Sequence, residues 1–186
     1  MIEKRHIISV LEQVKKAVRE EDIVKLKELS NQTIHSASVH QNSESITIAV
    51  IVYSLSKIIE RKKYRQYPGW KKFFNEYIKA IDKTIIDLKK NDEKLFREDL
   101  SSIRQSINEL SGKLKIYIKD VFQKAKINKA SRIYEHGISM EKTAKLLGIS
   151  LWELSNYAGQ TKISDVKLNL TQSVQTRIKN AMEMFK

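Results

Sequence analysis

Apolar residues recur along most of this chain at alternating spacings of three and four, the signature of amphipathic helices. Ile7, Leu11, Val14 and Val18 mark one face of a first helix from about Ile2 to Glu20, and Asp22 restarts a second that runs through Leu26 and Leu29 to about His40. The segment from Ser43 to about Tyr64 is apolar nearly all round, through Ile46, Ile48, Val50, Ile51, Val52 and Leu55. A helix without a polar face belongs at the centre of a bundle. Its β-branched residues would also suit a strand, but no partner strand pattern occurs elsewhere. Pro68-Gly69 breaks the chain, and Trp70, Phe73, Tyr77, Ile81, Ile85 and Leu88 mark a fourth helix ending near Asn91.

The next pattern is the longest. Phe96, Leu100, Ile103, Ile107, Leu110, Leu114, Tyr117 and Val121 keep the spacing without interruption, which predicts one long fifth helix with Gly112 off its seam. Continued to His136 and ended at Gly137, that helix would form a rigid arm. After Lys162 comes a connector, then Thr171 to Lys186 with Val174, Ile178, Ala181, Met182 and Phe185 on one face. The expected fold is all-α, in three parts: a helical bundle over 1–127, a small helix-turn-helix over 128–163, and a connector with a C-terminal amphipathic helix over 164–186.

The helix-turn-helix is read from Ile138 to Lys162. Ala144 is small where two helices must touch, Gly148 can adopt the positive φ that ends the first of them, and Leu147, Ile149, Leu154 and Tyr157 fall on the inner side. Ser150 caps the second, or recognition, helix. In DNA-binding proteins that helix enters the major groove. Its outward positions would be Ser150, Leu151, Trp152, Glu153, Ser155 and Asn156. Asn156 suits adenine, Ser155 either base type and Leu151 a thymine methyl, although no Arg is present for guanine. Lys142, Lys145 and Lys162 flank the motif where phosphates would lie. An exposed Leu-Trp pair equally suits a protein contact.

Tyr134-Glu135-His136-Gly137-Ile138-Ser139, Thr143-Ala144, Leu147-Gly148-Ile149-Ser150 and Trp152-Glu153-Leu154 together resemble the helix-turn-helix of small prokaryotic antitoxins encoded beside PIN-domain ribonuclease toxins. The resemblance covers about a quarter of the chain, and the residues before it have no counterpart in that family. It implies binding to duplex DNA, a homodimer and a PIN-domain toxin as partner. Tails of such antitoxins commonly engage the toxin, which would make Val174, Ile178, Met182 and Phe185 anchors in a hydrophobic groove.

Charge and composition narrow the picture further. The net charge of +13 favours polyanionic partners, but it is spread almost evenly when the chain is divided at Gln66 and Ile127. The absence of Cys removes disulfides, thiolate metal sites and Cys nucleophiles, and makes a reducing, cytoplasmic setting the expectation. Met1 to Arg5 leads straight into an amphipathic helix rather than a signal sequence, and the apolar run from Ile46 to Leu55 is too short to span a bilayer.

Three further features are candidates. Arg61, Lys62, Lys63, Arg65, Lys71 and Lys72 interleave with Tyr64, Tyr67 and Trp70, a pattern that suits single-stranded nucleic acid or a plain helix-helix corner. From Ser30 to Ser56 the only charged residue is Glu44, which predicts close helix packing with buried hydrogen bonds, or else an interface. His35 and His40 are five apart and lie on different sides of a helix, unlike a shared metal site, so no metal is expected. Arg132 and His136 resemble a shortened nuclease motif but abut the helix-turn-helix and read as structural. No catalytic signature or cofactor motif is present, and the expectation is a non-enzymatic DNA-binding regulator. A helical adaptor that docks on protein, or an RNA-binding protein using the basic corner, are the alternatives.

Overall fold

The computed structural model describes residues 2–40 and 43–160. The chain is all-α, and among the described residues eight α-helices and no strand occur. They are α1 (Ile2–Arg19), α2 (Ile23–His40), α3 (Ser43–Glu60), α4 (Trp70–Lys90), α5 (Glu93–Glu109), α6 (Gly112–Glu135), α7 (Met140–Leu147) and α8 (Leu151–Gln160), with a 3₁₀ turn over Lys62–Gln66. None of the described helices is long and apolar enough to cross a membrane.

Helix α3 occupies the centre. Ile46, Ile48, Ala49, Val50, Ile51, Val52, Leu55, Ile58 and Ile59 are all buried, and α1, α2, α5, α6 and α7 pack against it. Its partnership with α2 is the closest, and the uncharged stretch explains why. Small side chains let the two backbones approach until the Ser30 hydroxyl donates to the Ala49 carbonyl at 2.7 Å. Thr33 and Ser38 are also buried and return their hydroxyls to Leu29 and Ile34 one turn back, both at 2.8 Å. Across the other side of α3, the buried Tyr77 hydroxyl of α4 donates to the Ile51 carbonyl at 2.7 Å.

Two corrections to the sequence reading follow. The third helix stops at Glu60 rather than Tyr64, because the chain tightens into the 3₁₀ turn that brings Tyr64 inward. The long fifth helix is in fact two. Leu110 and Ser111 take extended backbone angles, and Gly112 opens α6 at φ +57°. The apolar spacing runs across this break because both helices face the same core. α5 buries Phe96, Leu100, Ile103 and Ile107, and α6 buries Leu114, Ile118, Val121 and Ala125, shifting the seam from Tyr117 to Ile118. A spacing pattern reports which side faces inward and is blind to a corner that preserves it. The rigid arm is therefore not formed. The apolar seam and the buried positions of the uncharged stretch pack within the one chain.

Two hydrophobic clusters result. The larger joins α1 to the first half of α6. The second joins Ile34 and Ala37 of α2, Ile46, Ala49 and Val50 of α3, and Ala125, Ala130 and Ile133 of α6 to Ala144, Leu147 and Leu154 of α7 and α8. The helix-turn-helix thus completes a core that the bundle begins.

At the edge of that core α6 buries a lysine. Lys129 is 0% exposed, its ammonium donates to Asn31 Oδ1 at 2.8 Å, and it lies 4.3 Å from the Tyr53 ring centroid. Burial, helped by the Arg132 charge, lowers its pKa to about 7. In the unfolded chain the amine holds its proton up to about pH 10.4. Folding therefore releases protons between these values, and stability rises with pH there by at most about 1.4 kcal/mol per unit. Lys129→Met should flatten thermal stability between pH 7 and 10 and raise the melting temperature at pH 7, since the exposed Asn31 amide can turn to water. An unchanged pH slope in thermal melts would show that the ammonium is not desolvated.

Asp99 of α5 behaves in the opposite sense. Burial and the neighbouring Asp87 carboxylate of α4 push it up to about 6. A carboxyl whose folded pKa is raised contributes stability below its unfolded value, near 3.9, and loses it as pH rises through about 6. Asp99→Asn should accordingly raise the melting temperature more at pH 7.5 than at pH 4.5, read by calorimetry at the two pH values.

Candidate nucleic-acid interface

The geometry of the helix-turn-helix is set by local residues at both of its ends. Ser139 caps α7, accepting from the Lys142 backbone N–H at 3.3 Å. Gly148 ends it in the left-handed region at φ 59°, ψ 46°. The Ile149 N–H donates to the Ala144 carbonyl at 3.1 Å and the Gly148 N–H to that of Lys145 at 3.3 Å, the nested pair that closes a helix C-terminus. Helix α8 then opens on a reciprocal cap. The Glu153 N–H donates to Ser150 Oγ at 3.1 Å, while Glu153 Oε2 accepts from the Ser150 N–H at 2.9 Å and from its hydroxyl at 2.7 Å.

These contacts decide which way α8 faces. Leu154 and Ala158 are buried, while Leu151, Trp152, Ser155 and Asn156 form one exposed face, with Leu151 51% and Trp152 73% accessible. Lys142 and Lys145 stand exposed on α7, beside it in the chain, and Ser150 is exposed at the turn. Three sequence assignments change in detail. Glu153 is half-buried rather than outward, because its second oxygen accepts from Gln123 of α6 at 2.8 Å. The Ser150 bonds, followed by that of Gln123, hold its carboxyl below the usual range. Ile149 and Tyr157 are half-buried rather than fully inward, and the Tyr157 hydroxyl accepts from Asn128 Nδ2 of α6 at 3.1 Å. Lys162 and the tail anchors Val174, Ile178, Met182 and Phe185 lie outside the described residues.

Beside α8 the structure opens a groove of about 450 Å³, lined among others by Tyr53, Lys57, Lys124, Asn128, Trp152 and Asn156. Arg61 reaches it as well. Tyr53, Lys57, Lys124 and Asn128 were not found by sequence reasoning, because they come from α3 and α6 and no local motif connects them to α8. Of the basic corner, only Arg61 reaches this place.

The rest of the corner is packed as a bundle end. Tyr64 and Trp70 are buried, stacked on Tyr117 at 5.7 Å and on Phe74 at 5.1 Å, and the half-buried Tyr67 leans on Tyr117 at 5.7 Å. Arg65 pairs with Glu21 at 2.8 Å and Lys72 with Glu109 at 3.2 Å, while Arg61 donates to the Tyr64 hydroxyl at 2.7 Å. Lys62, Lys63 and Lys71 are exposed, with Lys63 over the Tyr117 ring. Tyr64 and Trp70 face inward and stack on their neighbours, which is the plain helix-helix corner of the two sequence readings.

Among the described residues no group of three or more His, Asp or Glu side chains converges as a metal site. No protein-family model, curated protein or solved structure matches the chain.

The turn is the most sensitive point. Gly148→Val places a β-branched residue at φ 59°, and the strain of about 1–2 kcal/mol or more should lower the melting temperature and weaken any ligand contact through α8. Ser150→Ala removes the cap at a cost of about 1 kcal/mol. Equal stability of both variants and the wild type in thermal denaturation would show that the corner is not held as described.

Proposed function

We propose that this chain is a DNA-binding helix-turn-helix protein of the antitoxin type. The observation that carries the reading is the outward face of α8, where Leu151, Trp152, Ser155 and Asn156 stand together at the tip of a capped corner. A side-chain amide at this place can pair bidentately with adenine, and the leucine can meet a thymine methyl. The exposed face of α8 carries no cation. Phosphate contacts must then come from its neighbours, Lys142 and Lys145 on α7 and Lys57, Arg61 and Lys124 around the groove. One recognition helix reads few base pairs, so a homodimer on two half-sites belongs to the proposal, as does neutralisation of a PIN-domain toxin.

A second reading, a protein-docking adaptor, is favoured by the same exposed Leu151 and Trp152. Fluorescence anisotropy with duplex DNA over a salt series separates the two. Asn156→Ala should relax sequence preference at a cost of about 1–3 kcal/mol, and Lys145→Ala should weaken binding to every sequence while lowering the salt slope by about one. Binding that neither change alters would remove the DNA-reader assignment and leave the adaptor.

A further inference from the structure

His35 and His136 are 101 residues apart in the chain, yet His35 Nδ1 approaches His136 Nε2 to 3.4 Å. Their ring centroids are 5.0 Å apart and their planes cross at 76°. Both residues are exposed. The two nitrogens are within hydrogen-bonding reach, the ring N–H of one tautomer facing the other ring's nitrogen. Two imidazole nitrogens on one tetrahedral zinc, each at about 2.0–2.1 Å, stand about 3.3–3.4 Å from each other. The separation between His35 and His136 also fits a chelating pair once no proton lies between the two nitrogens. The Arg132 guanidinium, whose charge reaches His136, is itself bound to Glu135 at 3.0 Å.

We propose that His35 and His136 form a two-histidine site for a divalent transition metal of the zinc class, with water completing the coordination. This site uses neither the groove nor the exposed face of α8. Its place in the fold gives it a consequence. His35 lies on α2, and His136 is the residue at which α6 ends, followed by Gly137 at φ 86° and the Ser139 cap of α7. A metal there clips the joint between bundle and helix-turn-helix to α2, adding a fastening at the one turn through which α7 and α8 are attached.

The test is thermal denaturation of the untagged full-length chain with zinc chloride, in the absence of DNA, with magnesium chloride as control and isothermal calorimetry for stoichiometry. Zinc at about ten times its dissociation constant should raise the melting temperature by about 3–6 °C, with one ion bound per chain and no response to magnesium. His35→Ala and His136→Ala should each abolish the shift. Both side chains are exposed, so the metal-free melting temperatures of the two variants serve as the check that they fold. Absence of a zinc-dependent shift in the wild-type chain, or its survival in either folded variant, would overturn the proposal. Neither result bears on DNA binding, which is measured separately.

Discussion

Burying α3 on nearly all sides is the constraint on which the rest of the structure depends. A helix with an open edge at Tyr53, Lys57 and Glu60 must find packing partners around the rest, and each partner brings polar atoms that water can no longer satisfy. The solution on the α2 side is to use small hydroxyl residues whose donors are met by carbonyls nearby, Ser30 by Ala49 and Thr33 by Leu29. The solution on the other side is Tyr77, whose ring fills space and whose hydroxyl reaches Ile51. Charged residues would have required water at the same places, which is the physical reason that the buried positions between Ser30 and Ser56 carry no charge.

The same constraint ties the helix-turn-helix to the bundle. Val50, Ile46 and Ala49 present the first half of α3 to Ala144 and Leu147 through the second cluster, and polar contacts reinforce the joint at its rim. Gln123 holds Glu153, Asn128 holds Tyr157, and Lys129 reaches across to Asn31. Since Glu153 is also the reciprocal cap of α8, a contact from α6 bears directly on where α8 begins. The orientation of the exposed face is therefore a property of the bundle as well as of the corner.

How much of this was legible in the sequence depends on the range of each determinant. The corner was readable because Ala144, Gly148 and Ser150 act within a few residues of one another. The central helix was readable because a run without charge admits no other place. The break at Leu110 and Ser111 was not, since a pattern of threes and fours is indifferent to a turn that keeps both helices on one core. The burial of Lys129 was not legible, because it is decided by α2 and α3 folding over it. The aromatics of the basic corner left two readings open, for rings beside lysines can as easily stack on each other as await a base, and in the structure they stack on each other. His35 and His136 were read apart, the one beside His40 and the other beside Arg132, because nothing in their own segments brings them together.

An α8 without cations on its exposed face changes what a bundle of this size is for. Sequence-independent attraction to a polyanion supplies much of the affinity in protein–DNA complexes, and a neutral reading face cannot supply it alone. Lys57 and Lys124 reach the groove beside Trp152 and Asn156 from α3 and α6, but each already meets a carboxylate, Glu60 at 2.8 Å and Asp120 at 2.9 Å. Drawing them onto phosphate exchanges one anion for another rather than creating a new pair, so the electrostatic gain at these two positions is smaller than a count of cations suggests. A DNA complex of the kind proposed would lean on the fit of Leu151, Trp152 and Asn156 more than on charge. That fit is fixed by the packing of α8 against α6, and through α6 by the buried helix at the centre.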